Sequence, residues 1–167
     1  MDSAADRTMT VSWTDPADAL PSLASLSGLD YLRRVRDGRL PAPPIAQVFG
    51  MRFGEIEDGR FSVACDPREA FFNPLGTVHG GLACTMLDTA LGCVAHSTLP
   101  AGSGYTSIDI SVSYLRPILP SAGPLTATGT VVKRGRRVVF AEATLTDATG
   151  VTYATATSSL LVVTPTP

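Results

Sequence analysis

An apolar segment in the middle of the chain most constrains the fold. From Gly80 to Ser97 the sequence reads GGLACTMLDTALGCVAHS, with apolar or small residues on every side of a helix. This pattern predicts a helix that is buried all round rather than along one stripe. Other elements must therefore wrap around it.

Asp88 is the only formal charge in that segment. Because burying an unpaired charge is costly, a carboxylate at this position must be hydrogen-bonded, paired or protonated. A group of this kind is a functional candidate. A structural aspartate bonded to a backbone amide would fit the same position.

The helix is predicted to begin at His79-Gly80-Gly81. Two glycines let the chain turn tightly and expose the first backbone N–H groups, which have no partner inside the helix. The positive end of the helix dipole suits an anion or an oxygen that becomes negative during acyl transfer. Gly80 and Gly81 are thus candidate substrate-binding positions, with His79 at the rim. An ordinary loop-to-helix junction capped by His79 is the alternative.

The spacing of His79 and Asp88 adds a geometric constraint. Nine helical steps of about 100° put the two residues roughly opposite each other and roughly 13 Å apart along the axis. Either only one of the two residues takes part in the reaction, or Asp88 of one chain faces His79 and Gly80 of a second copy. We favour the second explanation, which predicts an obligate symmetric dimer.

A longer pattern surrounds these residues, N-x-x-G-x-x-H-G-G followed by a carboxylate and then S-x-D-x-x-x-x-Y-x-x-P. Its members are Asn73, Gly76, His79, Gly80, Gly81, Asp88, Ser107, Asp109, Tyr114 and Pro117. From about residue 47 to 163 the chain resembles the hotdog-fold acyl-CoA thioesterases of the phenylacetate-pathway (PaaI-like) type. These include the 4-hydroxybenzoyl-CoA thioesterases of the Arthrobacter kind.

The resemblance implies hydrolysis of an acyl-CoA thioester, with coenzyme A as part of the substrate and no separate cofactor or metal. By analogy with that family, the Gly80 N–H polarises the thioester carbonyl, and His79 and Asn73 orient the thioester or the attacking water. Asp88 matches the catalytic carboxylate, as nucleophile or as general base. Ser107 matches a serine that positions water in some members, although a strand serine is as often simply solvated.

Basic residues cluster in one later turn, with one more in the preceding connection. They are Arg116, Lys133, Arg134, Arg136 and Arg137. The phosphates of coenzyme A would suit such a patch. A solvated hairpin tip is the alternative interpretation.

Four strand-like runs follow the helix, at residues 107–114, 125–133, 137–147 and 151–163. The first alternates, with one face predicted to be buried. That face carries Ile108, Ile110, Val112 and Tyr114, and the other carries Ser107, Asp109, Ser111 and Ser113. Short turns indicate an antiparallel meander. With a strand or two before the helix, the class is α+β, with the sheet wrapped around the central helix, as the hotdog resemblance implies.

Three segments are predicted along the chain. Residues 1–46 form an N-terminal arm with a poorly ordered start and one helix, from about Leu29 to Arg39, laid on the main body or on a membrane or phosphate surface. Residues 47–163 form the hotdog domain, and 164–167 a tail.

Composition narrows the function classes. With 167 residues, 44% of them hydrophobic, the chain fits one globular domain. Its net charge of -2 lacks the strong positive charge that is typical of nucleic-acid-binding proteins. Neither a secretory signal nor a membrane span is predicted, which favours a cytoplasmic protein. Cys65, Cys84 and Cys93 fit buried hydrophobes rather than disulfides or a zinc site. His96 could be a second catalytic group, but we interpret it as structural, because a helix C-terminus favours a histidine through the charge of its ring.

Other functions remain open. A hotdog dehydratase or hydratase would need D-x-x-x-x-H, but Pro74 stands at the position of the Asp. A non-catalytic acyl-CoA sensor would need a second module, such as a helix-turn-helix, to transmit binding. An inactive hotdog protein that serves only in assembly would not need a residue at every catalytic position of the pattern. We expect the substrate to carry an aromatic acyl group, with a medium-chain aliphatic group as the alternative. We also expect a homodimer with shared active sites, and the pairing of two dimers into a homotetramer.

Overall fold

The computed structural model describes residues 6 to 164. The helices are α1 (Leu20–Ser25), α2 (Gly28–Arg36), α3 (Pro44–Phe49) and α4 (Gly80–His96). The strands are β1 (Arg52–Glu57), β2 (Arg60–Cys65), β3 (Gly104–Ser107), β4 (Ser111–Tyr114), β5 (Leu125–Arg134), β6 (Val138–Asp147) and β7 (Thr152–Val163).

All strand pairs are antiparallel and form one sheet in the order β1-β2-β5-β6-β7, with β3 and β4 both paired to the far edge of β7. The curled sheet packs around α4 through β2, β3, β5, β6 and β7. The predicted α+β class, the antiparallel meander and the wrapped central helix are confirmed.

The sheet packs tightly against the backbone of α4 at Gly129 on β5. A Cβ atom added there would lie 2.8 Å from the carbonyl oxygen of Ala90, a backbone atom that a side-chain rotation cannot move aside. Gly129 is therefore required for the depth at which the helix sits in the sheet. Its neighbours on the same sheet face, Ala127 and Ala143, are also small and buried.

The prediction that α4 is buried all round is wrong along one stripe. Gly81 and Asp88 are exposed, and Cys84 and Thr85 are half-buried. These positions recur every three or four residues and so share one side of the helix. The sheet ends at β3 and β4, so no helix or strand between residues 6 and 164 covers the side beyond that edge.

The predicted strand over residues 107–114 is divided by a bulge. Ser107 pairs with Leu160 and Ser111 with Thr157, so three residues on the edge lie opposite two on β7. The Asp109 carboxylate accepts a hydrogen bond of 3.1 Å from the Ser159 N–H inside this break. One extra residue reverses the alternation of side chains beyond it.

This reversal changes which residues face the helix. Ser107 and Tyr114, predicted on opposite faces, both reach α4. The predicted buried face forms only in part in the single chain, because Ile108 is 57% and Tyr114 55% exposed, whereas Ile110 and Val112 pack against the core. Within the described part of the chain, no further element packs over this edge of the sheet.

The arm contains more helix than predicted. A 3-10 turn (Pro16–Ala19) and α1 precede α2, because the Asp15 side chain caps the turn and Pro21 suits the start of a helix. The predicted helix forms with Ser27 as its N-cap but ends at Arg36, where Gly38 takes a left-handed φ of 69°.

The arm helix α2 lies on the main body. Tyr31, Leu32 and Val35 are buried, and the Arg33 side chain donates to the Ile56 carbonyl of β1 at 3.4 Å. Its apolar stripe is thus occupied by this chain. The domain boundaries stay a prediction, although α3 runs across the one at residue 46. Residues 1–5 of the arm and 165–167 of the tail lie outside the described residues.

No helix between residues 6 and 164 is long and apolar enough to cross a membrane. Among the cysteines, Cys65 and Cys93 are buried as predicted, whereas Cys84 on the open stripe is only half-buried. Burial raises the pKa of Cys65 to about 11 and that of Cys93 to about 12, so both thiols stay protonated near neutral pH.

We expect Gly129→Ala to lower the free energy of unfolding by about 1–3 kcal/mol, the usual cost of overpacking, because the added methyl meets the Ala90 backbone. Urea titration would measure it. Gly104→Ala is the matched control, since a Cβ there meets nothing within 4 Å and Gly104 has no left-handed φ. Equal stability of the two variants would contradict the close packing.

Candidate active site along the central helix

Strands β3 and β4, at the edge of the sheet, come after α4 in the sequence and contact it near both ends and in the middle. The Tyr105 ring covers Gly92 and leaves no room for a Cβ there. The Ser107 hydroxyl donates to the Asp88 carboxylate at 3.3 Å, and the Tyr114 hydroxyl donates to the Gly80 carbonyl at 3.1 Å. The bulge makes the Ser107 and Tyr114 contacts possible together.

Asp88 is hydrogen-bonded, as predicted, but it is not buried in the single chain. Its carboxylate lies on the open stripe of α4 with the Ser107 hydroxyl beside it. A carboxylate so placed can approach a substrate and act as a base or nucleophile. The serine holds one of its oxygens in a defined direction.

His79 is the N-cap of α4. Its Nδ1 accepts a hydrogen bond of 2.8 Å from the Gly81 N–H, so the ring nitrogen free to donate is Nε2. The prediction that Gly81 offers a free N–H is therefore wrong, because the cap uses it. The Gly80 N–H has no partner among the described residues and is the donor that this helix start leaves available.

Asn73 organises the loop before the helix. Its side-chain oxygen accepts from the backbone N–H groups of Leu75 and Thr77, at 2.9 and 3.3 Å, and its amide donates to the Thr77 hydroxyl at 2.8 Å. Asn73 also lines a concavity of about 440 Å³ together with Gly80, Tyr114 and Arg116. The structure thus brings Asn73, Gly80 and Arg116 together.

His79 lines a different concavity, of about 390 Å³, with Gly81, Thr85 and Phe71. Asp88 lines neither of these two concavities. Within the described part of one chain, the predicted catalytic residues therefore divide between the start and the middle of α4. This separation agrees with the helical spacing of His79 and Asp88.

The predicted basic patch also divides. Arg116 lies near the start of α4, whereas Arg134 forms an ion pair with Asp58 in the β1–β2 turn. That turn is near the other end of α4, because the Gly59 N–H donates to the Ser97 hydroxyl at 3.0 Å. Arg136 and Arg137 are exposed on the same hairpin as Arg134. One chain does not combine Arg116 with the hairpin arginines.

The sequence interpretation of His96 is wrong in its physical reason. The ring is buried between Tyr31 and Tyr105, with ring centroids 5.6 and 5.7 Å away. Burial lowers the pKa of His96, so the side chain is held neutral rather than as a cation at the helix end. Tyr31 and Tyr105 belong to no motif in the sequence, and no sequence signal predicts this contact.

Comparison with known proteins agrees with this geometry. Residues 75–154 match the model of the thioesterase superfamily. The chain is 39% identical over 103 residues to a predicted esterase of Halobacterium salinarum, covering 59% of this chain and 66% of that protein. It is 31% identical over 81 residues to mouse acyl-coenzyme A thioesterase 13, covering 48% of this chain and 56% of that one.

Solved structures extend the likeness over the whole fold. A predicted thioesterase from Ralstonia eutropha, related to phenylacetic acid degradation, superposes with a TM-score of 0.72 and 28% identity over 78% of this chain and 98% of its own. The E. coli PaaI protein of the phenylacetic acid degradation operon superposes with the same TM-score of 0.72 at 20% identity. The superposition covers 85% of this chain and 99% of that one, and shows a common fold.

The thioesterase-superfamily match over residues 75–154 and the likeness of the fold to solved thioesterases show that this chain has the hotdog fold and is similar to the PaaI-like thioesterases.

Proposed function

We propose that this protein hydrolyses acyl-CoA thioesters to a carboxylic acid and free coenzyme A. The observation that carries the proposal is that α4 presents two groups: a Gly80 N–H with no partner among the described residues, and the Asp88 carboxylate held by Ser107. The first can stabilise the oxygen of a polarised carbonyl, and the second can drive the attack. The mouse relative is named an acyl-coenzyme A thioesterase.

The reaction balances with these groups alone. An oxygen from water, activated by Asp88, or a carboxylate oxygen of Asp88 itself bonds to the thioester carbon while the Gly80 N–H donates to the carbonyl oxygen. The C–S bond then breaks, and the thiolate takes up the proton released from water. In the nucleophilic route, water cleaves the resulting anhydride and restores Asp88. His79 Nε2 and Asn73 orient the thioester or the water.

The active site is shared between two chains in this proposal. The open stripe of α4 carries Asp88, and the neighbouring sheet edge exposes Ile108, Tyr114 and Leu115, each more than half exposed. An unpaired edge with apolar side chains is suited to association. A second copy across this edge would cover the stripe and bring its His79 and Gly80 towards Asp88. Pairing of dimers into a tetramer is our further expectation.

Arg116 is the arginine best supported for binding the coenzyme A part, because it lines the same concavity as Gly80. Arg136 and Arg137 stay candidates, as exposed cations that a partner chain could bring to the site; Arg134 is engaged by Asp58. We retain an aromatic acyl group as the preferred substrate, with medium-chain aliphatic groups as the alternative, and a cytoplasmic location.

We expect Asp88→Asn to keep the fold and lower kcat by at least ~10²-fold, because the amide can neither attack nor take a proton. Release of free thiol from benzoyl-, hydroxybenzoyl-, phenylacetyl- and octanoyl-CoA would measure it. Asp66→Asn is the control, since Asp66 is an exposed aspartate paired with Arg52 on the surface. Full activity of Asp88→Asn would remove Asp88 from the mechanism.

The shared site can be tested with mixed dimers. We expect Asp88→Asn and His79→Asn chains to be poorly active alone but to regain about half of the wild-type activity in a purified heterodimer, because one of its two sites then holds both native residues. Asparagine at position 79 keeps an N-capping side chain. Two different affinity tags would isolate the heterodimer.

The wild-type chain carrying each tag, mixed in the same way, is the control for subunit exchange. A site within one chain predicts the opposite result, since every site of the heterodimer would then carry one substitution. A heterodimer no more active than its parents would therefore disprove the shared site.

Asp109 is a positioning residue in this proposal, because it holds the bulge that turns Ser107 towards Asp88. We expect Asp109→Ala and Ser107→Ala each to lower kcat with little change in KM. If Asp109 acts through Ser107, the double variant should be little worse than Ser107→Ala. Steady-state kinetics of the four proteins would measure this coupling, and strictly multiplicative effects would refute it.

A further inference from the structure

A chain of hydrogen bonds crosses the first turn of α4. The Tyr114 hydroxyl, at the end of β4, donates to the Gly80 carbonyl at 3.1 Å. The Gly81 N–H belongs to the same peptide group as that carbonyl, and it donates to Nδ1 of His79 at 2.8 Å. The Gly80–Gly81 peptide group therefore joins the edge of the sheet to the His79 ring, which lines a different concavity from Tyr114.

The position of Tyr114 depends on the bulge and on the glycine at position 80. The bulge turns the Tyr114 side chain towards α4, while its backbone pairs with Ala154 on β7. A Cβ atom added to Gly80 would lie 3.3 Å from two carbons of the Tyr114 ring, which is tighter than ordinary van der Waals contact. The absence of a side chain at Gly80 thus lets the tyrosine hydroxyl reach the helix backbone.

The direction of each hydrogen bond in this chain is fixed. A carbonyl oxygen can only accept, so the Tyr114 hydroxyl donates. Burial raises the pKa of Tyr114, and the nearby Cys84 thiol adds to this, so the hydroxyl keeps its proton near pH 7. An amide N–H can only donate, so Nδ1 of His79 accepts and the ring proton of the neutral histidine is on Nε2.

The two hydrogen bonds reinforce each other. A donor on the carbonyl oxygen of a peptide group polarises that group and makes its N–H a stronger donor, as in other hydrogen-bonded chains. The Tyr114 hydroxyl therefore strengthens the bond that holds Nδ1 of His79. With its proton on Nε2, the ring offers a donor to a thioester oxygen that gains negative charge. In the other tautomer, Nε2 would present a lone pair and repel that oxygen.

We infer, on the basis of the function proposed above, that Tyr114 is a positioning residue for His79. It acts through the Gly80–Gly81 peptide group and holds the histidine in the Nε2–H tautomer and in one orientation. The residues on the two sides of the bulge then have separate tasks, since Ser107 holds the Asp88 carboxylate and Tyr114 holds His79.

Nitrogen-15 NMR of the imidazole rings tests the tautomer directly. The chain has two histidines, His79 and His96, so His79→Asn assigns both sets of signals. At about pH 8, where an ordinary histidine is neutral, we expect the Nε2–H tautomer of His79 to predominate in the wild-type chain. Tyr114→Phe keeps the ring over Gly80 and removes the hydroxyl, and it should lower the ratio of Nε2–H to Nδ1–H tautomer at least about 3-fold. The signals of His96 should stay unchanged and serve as the internal control.

Steady-state kinetics tests the consequence for turnover. We expect Tyr114→Phe to lower kcat about 3- to 10-fold, the scale of one neutral hydrogen bond, with little change in KM. Tyr153→Phe is the matched control, because its hydroxyl donates to the Asp147 carboxylate at 3.0 Å rather than to the backbone of α4. In a His79→Asn background, the further change Tyr114→Phe should have little effect, since no tautomer is then left to hold.

An unchanged His79 tautomer in Tyr114→Phe would overturn the inference, and so would an equal loss of kcat with and without His79. The spectra need no turnover, which separates this inference from the proposed hydrolysis. A tautomer that depends on Tyr114, in a chain that hydrolyses none of the acyl-CoAs, would support the hydrogen-bonded chain and reject the thioesterase. Hydrolysis that depends on Asp88, with a tautomer indifferent to Tyr114, would reject the role of Tyr114 alone.

Discussion

The backbone contact between the sheet and α4 at Gly129 determines the rest of the structure. A helix can lie so close to a sheet only where side chains are absent or small, and Gly129 meets the Ala90 carbonyl with no room for a Cβ. Once the helix sits at that depth, most of its sides are buried. The stripe of Gly81 and Asp88, beyond the edge of the sheet, is what remains open. The site is on this helix because its burial is incomplete there.

The bulge between β3 and β4 decides what the open stripe contacts. A regular strand over residues 107–114 would direct Ser107 and Tyr114 to opposite faces, and only one of them could reach α4. The extra residue, with Asp109 bonded to the Ser159 N–H, allows both contacts. The Asp of the S-x-D pattern thus has a physical role that its position in a motif does not explain.

Periodicity was sufficient to predict the central helix, the later strands and the class of the fold, since these follow from residues that repeat along one element. The residues at the start of α4 and Asp88 could also be found, because glycines and a lone charge stand out in an apolar segment. The bulge could not be predicted, since it depends on the register of residues 107–111 with β7. The capping of α4 by His79 was one of two interpretations that the sequence allowed. The pairing of Arg134 with Asp58 and the burial of His96 could not be predicted, because each joins side chains that are far apart in the sequence.

The contacts of α4 also explain why the proposed site needs two chains. The Gly80 N–H lies in the first turn of the helix and the Asp88 carboxylate in its third, so one copy cannot bring both to a single thioester. The last turn is packed differently, since α2 covers the end of α4 and its Tyr31 contacts the His96 ring. The sheet edge and the arm therefore contact different parts of the helix, and a change at one of them leaves the contacts of the other in place.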